Sequence, residues 1–330
     1  MPCREGVENR TPPIPWRRHT RSIMLPGENL TAYLERESWH LIRCVDIGMT
    51  ARVYIIERDG ERRALKVRRG DSDDKAALRT EHRLLTYLGR TPMRRCAPDV
   101  AKWLPGVDGF LMTYLHYPSR AEKEAPTWIR NLASALRTLH GLGPPSIPGL
   151  EDDRPSVGGA VIERFRSLFE GVWRTNGFWA GLSAGDTPKL EQVRAHYDTY
   201  ADMLNEASNL LVGAEPALIH GDLASDNVML TPEGDLAIAD WGSARIGTGL
   251  SDAASVSVCM DWSPEERRRF YELYLGVGGK PDTRMIRSLH VLFLLHRYRS
   301  CVQSLLWLKD DGEGLDAIGR AFLETQLAAL

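Results

Sequence analysis

The chain has 330 residues, 43% hydrophobic and 26% charged, with a formal net charge of -2. This is the composition of a soluble globular protein with room for one large domain or two lobes, and it gives no whole-chain electrostatic case for nucleic acid or an anionic membrane. The five cysteines (Cys3, Cys44, Cys96, Cys259, Cys301) are far apart and form no C-x-x-C, which argues for reduced thiols rather than a disulfide framework or metal centre.

No apolar run is long enough to span a bilayer. The longest candidate, His290 to Trp307, is interrupted by His296, Arg297 and Arg299. The N-terminus has arginines but no apolar segment of the kind a signal peptide needs, so a cytoplasmic location is expected.

Residues 1–35 read as a disordered basic tail, or as translation upstream of a start at Met24. Pro2, Pro12, Pro13 and Pro15 interrupt any periodicity, and Arg4, Arg10, Arg17, Arg18 and Arg21 make the stretch basic. A basic interaction arm is the alternative. From Leu41 the pattern becomes β, with runs at Leu41–Val45, Arg52–Glu57 and Arg62–Arg68. Ile47 to Ala51 links the first two, and Asp59-Gly60 turns between the second and third. Lys66 shares a strand face with Ala64 and Arg68, opposite Leu65 and Val67. A helix opening at Ser72 comes next, with Ala77, Leu84, Leu85 and Leu88 as its buried stripe and Glu81 in its middle. Phe110–Leu115 reads as a buried strand, and Pro126 as the first turn of a helix with the stripe Trp128, Leu132, Leu136 and Leu139. Helices are expected over Val161–Arg174 and Lys189–Leu211.

The stretch Ala217 to Ser243 carries the chemistry. It reads as strand, loop, strand, turn, strand, loop. His220, Asp222 and Asn227 form H-x-D-x-x-x-x-N, and Asp240 opens D-W-G thirteen residues after Asn227. A hydroxyl attacking the γ-phosphate of ATP needs a carboxylate to orient it and take its proton, which Asp222 can do. The phosphate oxygens need a hard cation with oxygen ligands, which Asn227 and Asp240 can supply. The hairpin Val228–Leu230 and Leu236–Ala239 would bring Asp240 back beside Asp222. A surface hairpin with polar loops is the bland reading of the same residues.

His220-Gly-Asp222, with Asn227 and Asp240-Trp-Gly242, resembles the aminoglycoside phosphotransferase and choline kinase superfamily, which shares the protein kinase fold. Gly221 is informative, because protein kinases usually place Arg there and small-molecule kinases often read H-G-D. The resemblance implies a two-lobed α+β, protein-kinase-like fold. Residues 36–115 would be a small nucleotide-binding lobe with a mostly antiparallel sheet and one helix, and 116–330 a large, mainly helical lobe with the catalytic loop and acceptor site. It implies ATP or GTP and Mg2+ as cofactors and a small-molecule hydroxyl as acceptor, with no nucleic acid, no membrane and an unassigned oligomeric state. By the same resemblance Gly48 and Thr50 would lie over the phosphates, although only Gly48 remains of the protein kinase glycine pattern. Lys66 would hold the α- and β-phosphates, Glu81 would orient Lys66, and the backbone of Thr113 to Leu115 would bond the adenine. His220 would brace the loop, and Asp252 would tie a helix to it.

Ser263-Pro-Glu-Glu266 reads as a capping box, with a protein kinase Ala-Pro-Glu as the sharper alternative. Thr283 to Lys309 reads as a core helix. The acceptor is the least legible part. Asp261, Glu265, Glu266, Asp310, Asp311, Glu313 and Asp316 could face a polycationic aminoglycoside. Trp262, Tyr271, Tyr274, Tyr298 and Trp307 could form a cage for a quaternary ammonium. The aminoglycoside type, with its link to antibiotic resistance, is the leading expectation. A choline or ethanolamine kinase, another small-metabolite kinase, a protein Ser/Thr kinase and a non-catalytic nucleotide-binding scaffold stand as alternatives.

Overall fold

The computed structural model describes residues 28–45, 51–69, 72–154, 156–174, 187–260, 262–276, 282–310 and 324–325. The small lobe is a five-stranded antiparallel sheet. Its strands are β1 (His40–Val45), β2 (Ala51–Arg58), β3 (Glu61–Arg68), β4 (Val100–Leu104) and β5 (Gly109–Thr113), in the order β1-β2-β3-β5-β4. The β2–β3 turn works because Asp59 (φ 51°) and Gly60 (φ 81°) both take left-handed conformations. Two such residues in succession match the twist of a two-residue hairpin.

Both faces of this sheet are covered. The helix α2 (Ser72–Leu88) packs Leu78, Leu84, Leu85 and Leu88 against Ala51 and Phe110 on one face. Leu78 rather than the expected Ala77 joins the buried stripe. On the other face a helix α1 (Glu28–Arg36) sets Leu30, Tyr33 and Leu34 against Tyr54, Ile56 and Leu65. The end of the expected tail is therefore a helix that opens at Glu28. Leu30, Tyr33 and Leu34 fall at i, i+3 and i+4, the spacing of one helix face, and the hydrophobic area they bury outweighs the polar residues around them.

The large lobe begins with α3 (Arg120–Glu124) and α4 (Pro126–His140), whose residues Trp128, Leu132, Leu136 and Leu139 are buried as the spacing predicts. Next come β6 (Glu151–Asp152), α5 (Val157–Arg174), α6 (Thr187–Ala195) and α7 (Tyr197–Leu210). The single helix expected over Lys189–Leu211 is two helices. The N–H of His196 reaches back only three residues to the Val193 carbonyl, which tightens the turn and breaks the i→i−4 ladder. Three short strands come after them: β7 (Ala217–Ile219), β8 (Val228–Leu230) and β9 (Leu236–Ile238). The chain closes with β10 (Arg245–Gly247), α8 (Gly249–Cys259), α9 (Pro264–Leu275) and α10 (Thr283–Asp310). Ser263 opens α9 with both hydrogen bonds of a capping box, to and from Glu266. α5, α7 and α10 enclose a second apolar cluster around Phe169, Tyr200 and Tyr298. No helix among the described residues is long and apolar enough to cross a membrane.

Two contacts stitch the lobes at the hinge. His116 and Leu230 exchange both backbone hydrogen bonds at 2.9 Å, and the Ile238 N–H donates to the Cys96 carbonyl at 2.8 Å. The β8–β9 hairpin is thereby held directly beneath the end of the sheet, with Asn227 at its start and Asp240 just past its end.

Candidate active site

β7 runs through the core and delivers His220, which is fully buried. Its Nε2 lies 2.8 Å from the Ala239 carbonyl. A carbonyl can only accept, so Nε2 carries the proton and the ring acts as a brace between the H-G-D and D-W-G segments. The ring also meets the Trp241 indole edge-on, with centroids 4.9 Å apart. Trp241 is itself buried and donates its indole N–H to the Ile238 carbonyl at 2.8 Å.

Asp252, near the start of α8, holds the loop from below. Its carboxylate accepts the backbone N–H of His220 at 2.6 Å and of Gly221 at 3.0 Å, and faces His140 Nε2 at 3.3 Å. Burial alone would raise this carboxyl, but the hydrogen bond and charge of His140, with His220 and the Gly221 amide, hold it below the usual carboxylate range. Gly221 has φ 82°, and a Cβ there would overlap the Ser243 carbonyl and the Arg245 guanidinium. Gly221→Ala should lower the thermal unfolding midpoint and the activity together. The left-handed conformation alone costs a non-glycine residue about 1–2 kcal/mol, and the overlap is with backbone that cannot turn aside. A midpoint equal to that of the wild type would contradict this account of the H-G-D glycine.

Past Gly221 the loop curls on itself. The Asp222 carbonyl accepts the Asn227 side-chain amide at 2.8 Å and the Ala224 N–H at 3.1 Å. These bonds use the backbone of Asp222; its side chain is exposed and makes no hydrogen bond among the described residues. Because Nδ2 of Asn227 is engaged, its amide oxygen is the atom left to face the cleft. The β8–β9 register pairs Val228 with Ile238, and the Ala239 N–H donates to the Asn227 carbonyl at 2.8 Å. Asp240 is thus set beside Asn227, and its φ of 57° swings the chain away from the strand.

The small lobe meets Asp240 through Lys66. Nζ lies 2.8 Å from Glu81 Oε1 and 2.8 Å from Asp240 Oδ1. Lys66 and Glu81 are 6% and 3% exposed, whereas the Asp240 side chain is 55% exposed. Burial would lower the lysine, but Glu81 and Asp240 outweigh it and hold Nζ above the ordinary lysine range and charged. The Lys66 ammonium in turn is the largest influence on Asp240 and keeps its carboxyl below the usual range against partial burial. Glu81 also accepts the Trp241 backbone N–H at 3.2 Å, so α2, β3 and the D-W-G segment share one carboxylate.

The donor set at the cleft is one carboxylate, Asp240, and one amide oxygen, Asn227. It fits magnesium, which takes one or two protein oxygens and completes its shell with phosphate and water. Among the described residues no three His, Cys, Asp or Glu side chains gather into a cage for a metal.

At the hinge the Thr113 N–H is already given to the Asp99 carbonyl at 2.9 Å. His116 is committed to Leu230 through both its N–H and its carbonyl. Gly48 and Thr50 lie outside the described residues, as do Asp261, Asp311, Glu313 and Asp316, and the side chains of Trp307 and Asp310 are not described. Glu266 is used in its capping box. Among the described residues the expected aromatics do not gather as a cage. Tyr271, Tyr274 and Tyr298 are core residues, bonded to Ser257, His140 and the Val193 carbonyl respectively, and Trp262 packs on Phe270. The site also includes two residues that sequence reasoning does not single out, His140 and Asp226. The signal for the second is its place immediately before Asn227.

A model of the phosphotransferase enzyme family matches residues 42–289. No curated protein matches the chain by sequence. Among solved structures, an ethanolamine kinase from Plasmodium vivax superposes with a TM-score of 0.59 at 17% identity, covering 91% of this chain and 84% of that one. A macrolide 2'-phosphotransferase from Brachybacterium faecium gives a TM-score of 0.59 at 19% identity, covering 91% of this chain and 96% of its own. An aminoglycoside phosphotransferase solved with ADP, APH(2'')-Ib, gives 0.58 at 16% identity, covering 92% and 98%. At these identities the likeness is one of fold, and it is the two-lobed kinase architecture that the H-G-D and D-W-G segments imply.

Proposed function

We propose, since this chain belongs to the phosphotransferase enzyme family, that it transfers the γ-phosphate of ATP or GTP to a hydroxyl of a small molecule of the aminoglycoside type. The observation that carries the reading is the convergence on one cleft of a buried, charged Lys66 with Glu81 behind it, an exposed Asp222, and the oxygen pair of Asn227 and Asp240. Lys66 would hold the non-transferred phosphates. Asp222 would orient the acceptor hydroxyl and take its proton as the new O–P bond forms and the bond to the β-phosphate breaks, the electron pair leaving with the nucleoside diphosphate. Asn227 and Asp240 would hold magnesium, which when bound neutralises charge on the β- and γ-phosphates. Leu115 would offer its N–H to the base.

Two observations weigh against the other readings. The room beside Gly221, where a protein kinase would carry its arginine, is filled by Ser243 and Arg245, which disfavours a phosphorylation-controlled protein kinase. The tyrosines that might have caged a choline are in the core. A scaffold has no need of Asp222, Asn227 and Asp240 together. No disulfide joins the described cysteines, in keeping with a cytoplasmic location.

Mass-spectrometric detection of phosphate transfer tests the reading, with ATP and GTP as donors and aminoglycosides, macrolides, choline, ethanolamine and a generic protein as acceptors. A phosphorylated aminoglycoside is the expected product. Transfer to choline alone or to the protein alone would overturn the acceptor class, and nucleotide binding without transfer to anything would favour the scaffold.

A further inference from the structure

The turn Ile147-Pro148-Gly149-Leu150 lies in the connection from α4 to β6 and takes no part in the chemistry above. The Leu150 N–H donates to the Ile147 carbonyl at 3.1 Å, and Gly149 has φ 86°. Proline at the second place and a left-handed glycine at the third make a type II turn, which these residue types favour. Its far end is anchored. β6 pairs with β10, Glu151 opposite Arg245, and β10 pairs with β7, which delivers His220. The turn is thus fixed to the sheet that carries the H-G-D loop.

Its near side meets the small lobe on α2, one residue before Glu81. Thr80 Oγ1 lies 3.1 Å from the Ala76 carbonyl and 3.5 Å from the Pro148 carbonyl, and Arg83 donates to the Pro148 carbonyl at 3.3 Å. A Cβ on Gly149 would come to 2.5 Å from Thr80 Oγ1, whereas the next nearest Thr80 atoms stand at 3.7 and 3.8 Å. Thr80 is β-branched, so its side chain has few rotamers in which to turn aside. Beside this contact a cavity of about 200 Å³ is lined by Thr80, Glu81, Gly149, Leu150, Trp241 and Ser243. The packing there is open, so the Thr80–Gly149 contact, rather than a continuous apolar face, spaces α2 from the turn.

We propose that this turn positions the nucleotide site: by meeting Thr80 it sets how far Glu81 reaches toward Lys66. This rests on the phosphotransferase reading above, in which Lys66 holds the non-transferred phosphates. Glu81 Oε1 and Lys66 Nζ are 2.8 Å apart, and such a bond leaves its favourable range beyond about 3.2 Å. A helix moves as a unit, so a displacement at Thr80 carries Glu81, the next residue, with it. Thr80 and the turn act through α2 and are positioning residues.

The test is calorimetric titration of the full chain with ATP and with GTP in the presence of magnesium, beside thermal unfolding. Gly149→Ala should weaken nucleotide binding about tenfold, the scale of one hydrogen bond to a charged group, and lower the unfolding midpoint. Adding Thr80→Ala removes the oxygen that the new methyl group meets. In the double variant the affinity should return close to that of Thr80→Ala alone, a coupling that two independent sites do not show. The midpoint should stay low, because the left-handed strain at residue 149 remains. Gly149→Asn carries the same Cβ at a lower backbone cost and allows the same comparison if Gly149→Ala does not fold. Unchanged affinity in these single variants overturns the inference. So does affinity that stays weak in the double variant, since the loss would then come from turn strain and not from Thr80. Failure of the phosphotransferase reading looks different: the wild type itself binds neither nucleotide.

Discussion

Asp222→Asn is expected to lower kcat by about 10²- to 10⁴-fold, the range over which a positioned general base contributes. The substitution is informative because of how the loop is built. The bonds that fix its shape use the Asp222 carbonyl, which accepts Asn227 Nδ2 and the Ala224 N–H, and leave the side chain uncommitted. An asparagine of the same size keeps those bonds and loses only the ability to take a proton. The thermal midpoint and the affinity for nucleotide should therefore stay close to those of the wild type while turnover collapses. A kcat within a few-fold of wild type, measured at saturating nucleotide and acceptor, would remove Asp222 from the chemistry.

Asp252→Ala should act on the fold instead, costing about 3–5 kcal/mol, the scale for breaking a buried charged network by removing one partner. Asp252 is 2% exposed, and three groups converge on its two oxygens: the amides of His220 and Gly221 and the His140 ring. Removing the carboxylate leaves two amides and an imidazole without an acceptor beneath the catalytic loop. Its folded-state carboxyl is held below the usual range. A depressed carboxyl contributes stability above the unfolded value of about 4 and loses it as pH falls through the folded value. The wild type should thus lose stability below about pH 4 more steeply than Asp252→Asn, which has no proton to bind there. Denaturant titrations of both proteins across that window check the sign. Parallel curves would mean that Asp252 carries no linkage.

How legible each part is in the sequence depends on the physics that fixes it. Lys66, Asp222, Asn227 and Asp240 are set by chemistry at fixed spacings on strands and loops, so the linear pattern already holds them. The burial of Trp128, Leu132, Leu136 and Leu139 comes from helical period alone. α1 escapes the pattern because its three apolar residues stand at the end of a proline- and arginine-rich stretch, and composition over a long window hides a short helix. Nothing in the order Ser225-Asp226-Asn227 says that one oxygen of Asp226 has no partner. That depends on how the loop folds in three dimensions, which only the structure decides. Tyr271, Tyr274 and Tyr298 lie on helices whether they face a ligand or the core, and here they are in the core.

The central claim, a nucleotide–metal centre built from Lys66, Asn227 and Asp240, is tested most directly by magnesium-dependent nucleotide binding. Calorimetric titration of the wild type with ATP and with GTP, with and without magnesium, should show binding of at least one nucleotide that strengthens sharply with the metal. In Asp240→Asn the strengthening should be lost, because Asp240 and Asn227 are the oxygens proposed to hold it. If the wild type binds neither ATP nor GTP with magnesium, or if Asp240→Asn responds to the metal as the wild type does, the assignment of these three residues is wrong.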